Sequence, residues 1–218
     1  MPGRDYINRT EIFMKRTTFN IRLVLAALFF ACAIGIATAD AHSFDDGDAK
    51  VAPRAAAPAD LSKGIAYSLT DGDGKAVTEK SWPGKFQLVF FGFTHCPDIC
   101  PVTLDKLSVA LGKLGDDAQK VQTLFISTDP KRDTPDVVKT YVGNVNKSIV
   151  GLTGTKEQVK AAEDVFKVYA VERTGADGDV TIDHSAFVYL LSPDGKLLDV
   201  IRGDATADDV ASTVKARL

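Results

Sequence analysis

The run QLVFFGF, Gln87 to Phe93, constrains the fold more than any other stretch of this chain. Apart from Gln87 it is apolar, and it has the length of a strand. A continuous apolar run suits a strand covered on both faces, and such strands belong to sheets with helices on either side. Immediately after it comes THCPDICP, where two cysteines stand three residues apart.

The flanking patterns extend this into a layered domain. Ile65 to Leu69, the turn DGDGK, and Ala76 to Val77 predict an N-terminal hairpin. A helix is expected from about Pro101, with Val102, Leu104, Leu107, Val109, Leu111 and Leu114 as its apolar face. VQTLFIST, Val121 to Thr128, predicts the next strand. DTPDVVKTYVG predicts a helix capped by Asp133 or Thr134, with Pro135 at its first position. Ser148 to Leu152 reads as a short strand, and Thr155 to Tyr169 as a helix opened by a Thr155–Gln158 capping box. SAFVYLL and KLLDVIRG flank an SPDG turn and predict a second hairpin, and a short helix closes the chain at Ala207 to Ala216. This order predicts an α/β, thioredoxin-like three-layer domain with a mixed central sheet and an added N-terminal β-hairpin. In such sheets chemistry gathers at the C-terminal strand ends, where Cys96 falls.

The first sixty residues belong to a different regime. LVLAALFFACAIGI, Leu23 to Ile36, is uncharged, follows basic residues and precedes the small residues of ATADA. That is the build of a secretory signal. Counted on to Ala39 it reaches the lower limit for spanning a bilayer, so residues 1–41 read as a cleaved signal or a retained membrane anchor. Either way the positive end stays in the cytoplasm and the bulk of the chain lies outside it, in a bacterium the periplasm. Met14 offers a compact alternative start, and Cys32 within the apolar core reads as a small apolar filler rather than a lipid-attachment site. Residues 42–60, rich in Ala, Pro and Asp, read as a flexible tether, leaving 61–218 as the folded domain.

Charge excludes one class of partner. The net charge is -3, with 21 of the 26 basic and 26 of the 29 acidic groups lying beyond residue 41. No Lys/Arg cluster of the kind that neutralises phosphates is present, so nucleic acid is not an expected ligand.

Cys96 and Cys100 are the only cysteines of the domain. In an oxidising compartment such a pair is structural, redox-active or metal-binding. A staple across so short a loop removes little chain entropy. A position at a helix entrance favours thiolate over thiol, which argues for chemistry. Residues four apart on a helix have Cβ atoms roughly 5–6 Å apart, wider than the 3.5–4.5 Å of a relaxed disulfide. A bridge is possible with some distortion of the first turn, while two sulfurs so spaced can grip one ion. Thioredoxin-type reductants usually have two intervening residues, and the longer gap tilts toward metal.

Thiolates select soft ions. Structural zinc wants four protein ligands and clusters want four cysteines, whereas two thiolates and one imidazole suit Cu(I). The domain lacks methionine, since Met1 and Met14 both lie upstream, so the third donor must be a histidine or a polar substitute. His184, in VTIDHSAFVYLL, is expected at the start of a strand beside the first helix's N-terminus and is the favoured third ligand. His95, next to Cys96, and His42, in the tether, are the alternatives. Asp183 is a candidate for orienting the site or a plain loop carboxylate. STDPKRDTP falls at the same rim, where Asp129 and Arg132 form either an ordered turn or a docking surface near the thiols. Trp82 reads as a hydrophobic plug rather than a recognition platform.

GFTHCPDICP, DPKRDTP and DHSAFVYLLSPDGK, in this order and spacing, resemble the Sco/SenC family of copper-binding assembly factors, over roughly Leu61 to Leu218. The resemblance implies a thioredoxin-like fold outside the cytoplasm, with copper, as Cu(I) or Cu(II), held by Cys96, Cys100 and His184. It further implies a chaperone that delivers copper to, or prepares, the copper-A site of cytochrome c oxidase. Its partners would be the copper-A subunit or another copper chaperone, and the membrane through an uncleaved N-terminal segment. The family also includes members acting mainly as thiol–disulfide reductants, so an oxidoreductase using Cys96 as attacking and Cys100 as resolving thiol is the rival. A thiol peroxidase is a weaker reading, since Phe93 stands where peroxidatic sites carry a threonine.

Overall fold

The computed structural model describes residues 64–175 and 180–218. The expected signal or anchor (1–41) and tether (42–60) lie outside the described residues.

The expected central strand is β3 (Phe86–Gly92). Around it lie β1 (Ser68–Asp71), β2 (Ala76–Thr78), β4 (Val121–Ser127), β5 (Ile149–Thr153), β8 (Val188–Leu191) and β9 (Leu197–Ile201). They form one mixed sheet in the order β2-β1-β5-β4-β3-β8-β9. β3, β4 and β5 run parallel, whereas β8 and β9 on one side and β1 and β2 on the other are antiparallel. The helices are α1 (Ile99–Leu114), α2 (Pro135–Val145), α3 (Lys156–Phe166) and α4 (Ala207–Lys215).

The pleat divides the apolar run of β3 between two cores, because successive side chains point to opposite faces. Leu88 and Phe90 join Leu104, Leu107, Val138 and Val210 beneath α1, α2 and α4. Val89 and Phe91 join Val159, Phe166 and Tyr189 beneath α3. Gln87 is fully buried in the same strand, and its amide is satisfied: it accepts from the Tyr67 hydroxyl at 2.8 Å and donates to the Glu79 carbonyl at 2.7 Å. Trp82 packs against the second core, as a plug should.

Three expectations need correction. α1 begins at Ile99 and buries Cys100, Thr103, Leu104, Leu107, Ala110, Leu111 and Leu114. Val102 and Val109, assigned to its apolar face, are each 52% exposed, because they sit seven residues apart on the outer side. α3 keeps its Thr155–Gln158 capping box but stops at Phe166 rather than Tyr169, where Lys167 turns into the left-handed region (φ 57°).

The third correction matters most for function. Two further strands, β6 (Ala170–Thr174) and β7 (Val180–His184), form an antiparallel arm paired only within itself. His184 therefore ends a strand of this arm instead of beginning the sheet strand β8. AVERT puts two apolar residues before three polar ones and is mostly exposed, and VTIDH buries only Ile182, so neither carries a core-seeking run to announce it.

Candidate metal centre

The parallel strands β3 and β4 end on the same rim, and the site is assembled where they stop. After Gly92 the chain turns through Phe93, Thr94 and His95, with the Cys96 amide donating to the Phe93 carbonyl at 3.2 Å. Cys96 lies in this turn, partly exposed, and only Cys100 stands on the helix, fully buried in its first turn. The sulfurs thus approach from a loop and a helix, and the helical four-residue spacing does not describe the pair.

Gly92 makes room for the inner sulfur. A Cβ there would lie 2.7 Å from Cys100 Sγ and 2.9 Å from the Phe125 ring, closer than such atoms tolerate. The turn itself is held from β4's end. Asp133, fully buried, accepts from the Thr94 amide at 3.0 Å, the Thr94 hydroxyl at 2.6 Å and the Ser127 hydroxyl at 2.6 Å. The sequence reading gave Asp133 only a helix-capping role. In the structure the N-cap of α2 is Thr134, and Asp133 is the strut of the cysteine loop.

The arm supplies the imidazole. His184 Nε2 lies 3.4 Å from Cys100 Sγ, and its Nδ1 lies 3.1 Å from the Ser185 carbonyl. A proton on Nδ1 donated to that carbonyl leaves the Nε2 lone pair facing the sulfurs. Phe90 and Phe93 hold the ring edge-on, with centroids 6.2 and 5.9 Å away. Sγ of Cys96 and Cys100 and a ring nitrogen of His184 all lie within 4.8 Å of one another, the only such group of three among the described residues. With zinc bond lengths of roughly 2.3 Å to sulfur and 2.0 Å to imidazole as a gauge, the three donors could close on one ion.

Burial sets the protonation states. It holds His184 below the ordinary imidazole range, against the raising effects of the Ser185 carbonyl and Asp183, and so favours the neutral form a ligand needs. Burial also pushes the Cys100 thiol up, helped by the neighbouring Cys96. At the inner cysteine, desolvation works against the thiolate that the helix terminus favours. Both cysteines are free thiols.

The other candidates fall elsewhere. His95 is exposed, with Nδ1 3.1 Å from the Thr94 hydroxyl, and stays outside the three-donor group. His42 lies outside the described residues. Asp183 points outward and ion-pairs with Arg173 on β6. Asp129 is buried and ion-pairs with Arg132, whose Nη1 donates to the Val180 carbonyl at 3.1 Å. Of the two readings offered for them, the ordered turn is present: Asp129 and Arg132 are bonded to each other and, through Arg132, to the arm. What faces solvent beside the sulfurs is an open cleft whose rim includes Phe93, Pro97, Asp98 and Ile99.

Fold and site together define a thioredoxin-like domain that carries two thiols and an imidazole on one rim, fit for soft-metal or thiol chemistry. The SCO1/SenC family model matches residues 55–218, and the chain belongs to that family. It is 45% identical over 144 residues to the mitochondrial protein SCO2 of Saccharomyces cerevisiae, a match covering 65% of this chain and 48% of that one. The chain thus spans about half the length of that curated relative. Its fold matches that of Bradyrhizobium japonicum ScoI, solved with copper bound, at a TM-score of 0.65 and 41% identity, over 71% of this chain and 99% of that one. It also matches BsSco, described as having a disulfide switch and as a member of the Sco family of cytochrome c oxidase assembly proteins. There the TM-score is 0.56 and the identity 29%, over 70% of this chain and 92% of that one. The thioredoxin-like mixed-sheet expectation holds.

Proposed function

We propose that this protein is a copper chaperone that binds one copper ion through Cys96, Cys100 and His184. It delivers the ion to, or prepares, the copper-A site of cytochrome c oxidase outside the cytoplasm. The observation that carries this is the convergence of three soft or borderline donor atoms within 4.8 Å. Two sulfurs and one imidazole suit copper better than a structural zinc site, which closes with four protein ligands. When bound, copper supplies the cargo and the one-electron chemistry. The chain's own residues do the rest: the His184 Nδ1–H bond to Ser185 orients the acceptor nitrogen, and Cys100 gives up its proton as the ion enters. A three-donor site at the mouth of an open cleft leaves the ion within reach of an incoming ligand from the acceptor, so transfer can proceed by exchange of donors.

Residues 61–218 carry this activity in the proposal, with 42–60 as the tether and 1–41 as the signal or anchor that sends the domain out of the cytoplasm. Among the described residues no helix is long and apolar enough to cross a membrane. Copper stoichiometry and absorption spectroscopy on the reduced full-length protein test the reading. About one copper per chain and a thiolate-to-Cu(II) charge-transfer band are expected, and absence of both defeats it.

A second reading has its own support. Cys96 is partly exposed and Cys100 is fully buried behind it, the arrangement of an attacking and a resolving thiol. A thiol–disulfide exchange role is compatible with copper binding, since the same sulfurs can bind metal when reduced and bridge when oxidised. Reduction of an oxidised partner peptide by a His184→Ala protein would favour it.

A further inference from the structure

The loop between β4 and α2 faces two ways. Asp133 holds the cysteine turn through Thr94. The two residues before it reach across to the arm. Lys131 Nζ ion-pairs with Glu172 on β6 at 2.9 Å, and Arg132 Nη1 donates to the Val180 carbonyl on β7 at 3.1 Å. The Arg132 guanidinium also ion-pairs with buried Asp129 and stands 5.9 Å from the centre of the Phe93 ring. Phe93 in turn packs edge-on against the His184 ring.

The arm needs such a tie. β6 and β7 pair only with each other, so the ladder of the main sheet does not fix how the arm lies on the body. Along β7 the pleat puts Val180, Ile182 and His184 on one face and Thr181 and Asp183 on the other. Ile182 is buried, whereas Thr181 and Asp183 are exposed, so the first face is the inward one. A roll of the hairpin about its own axis would carry His184 Nε2 away from the sulfurs.

We propose that Arg132 is a positioning residue that prevents this roll, keeping the imidazole turned toward the thiols. A planar guanidinium can pair with Asp129, donate to Val180 and lie over Phe93 at once, which a lysine ammonium cannot. The inference deepens the copper reading, and only its second test rests on that reading.

The first test is amide hydrogen exchange on the copper-free full-length protein, comparing the natural sequence with Arg132→Gln and Arg132→Lys. Loss of a charge-assisted hydrogen bond predicts exchange about tenfold faster across 170–174 and 180–184 in the Gln variant, with β3 and β4 unchanged. The Lys variant, which keeps the charge and loses the fork, is expected at about threefold. Unchanged exchange in the arm, or acceleration shared equally by β3 and β4, overturns the proposal. If the Gln variant does not fold, the Lys variant decides on the same criterion.

The second test is copper loss to a chelator, expected about tenfold faster from the Gln variant. An equal rate overturns the proposal. Should the natural protein take up no copper, the chaperone reading falls, and the exchange comparison still judges Arg132.

Discussion

Cys100 sits on the first turn of a 16-residue helix, with no exposed surface and within the same core as Phe90 and Phe125. His184 ends a two-stranded arm of which Ile182 is the one buried hydrophobic anchor among the described residues. The sulfur half of the centre is therefore continuous with the core, and moving it means disturbing the packing of α1 on β3. The imidazole half is brought in from outside and held by a few polar bonds and one apolar anchor. Regions so lightly held open at lower free energy than the body they rest on. The contrast teaches that the nitrogen donor depends on the bonds of the arm, whereas the inner sulfur depends on the core.

The largest effects should come from the donors themselves. Cys100→Ser is expected to reduce bound copper from about one per chain to near zero, measured by metal analysis of the purified protein. His184→Ala should weaken copper by more than about a hundredfold, a larger loss than that of an outer-shell partner, while leaving the urea midpoint nearly unchanged. A His184→Ala protein with native affinity would break the comparison by removing the arm from the site. Next, Asp133→Ala strips the acceptor from three hydrogen bonds, two from Thr94 in the cysteine turn and one from Ser127 at the end of β4. Leaving those donors unpaired should cost about 3 kcal/mol of stability in urea unfolding. A cost near zero would mean that the cysteine turn is not held as rigidly as its bonds imply.

A smaller effect should appear at the arm's foot. Burial pushes the Glu163 carboxyl, near the end of α3, up to about 7. Its folded value exceeds the unfolded value of about 4.5. The stability it contributes is complete below the unfolded value and is lost as pH rises through 7. The gap in urea midpoint between Glu163→Gln and the natural protein should therefore widen in the variant's favour from pH 5 to 7.5. A constant gap would contradict the assignment. The smallest effect is expected at Asp183, whose carboxylate pairs with Arg173 on the solvent side of the arm. Asp183→Asn should leave copper affinity within about twofold, because solvent and salt screen such a pair. A tenfold loss would return Asp183 to the site.

The same contrast explains what the sequence disclosed. Long apolar runs declare themselves, and β3, β4 and the second hairpin all lie close to where their patterns put them. Cys96, Cys100 and His184 were legible as a set because few other thiols or imidazoles exist in the chain to compete. The arm was not legible: AVERT is short, charged and exposed, and nothing in its periodicity separates a hairpin from the end of a helix. Asp133 was missed for another reason. Its local context, DTP, satisfies a helix-start pattern, while its partners Thr94 and Ser127 are distant in sequence or belong to the preceding strand. Local pattern cannot register a buried acceptor that serves three donors across the sheet rim. Arg132 and Asp129 show the same failing in reverse, since charged residues that look exposed in sequence are bound internally in the fold.

Gly92 carries one last implication. With hydrogen alone above its Cα, the strand's backbone becomes the floor on which the inner sulfur rests. The depth of that sulfur is then fixed by peptide geometry, which hardly varies, rather than by a neighbouring side chain that could rotate aside. A single methyl at this position would press on the inner sulfur and on the Phe125 ring together, so the centre and the core beneath it would have to give way as one.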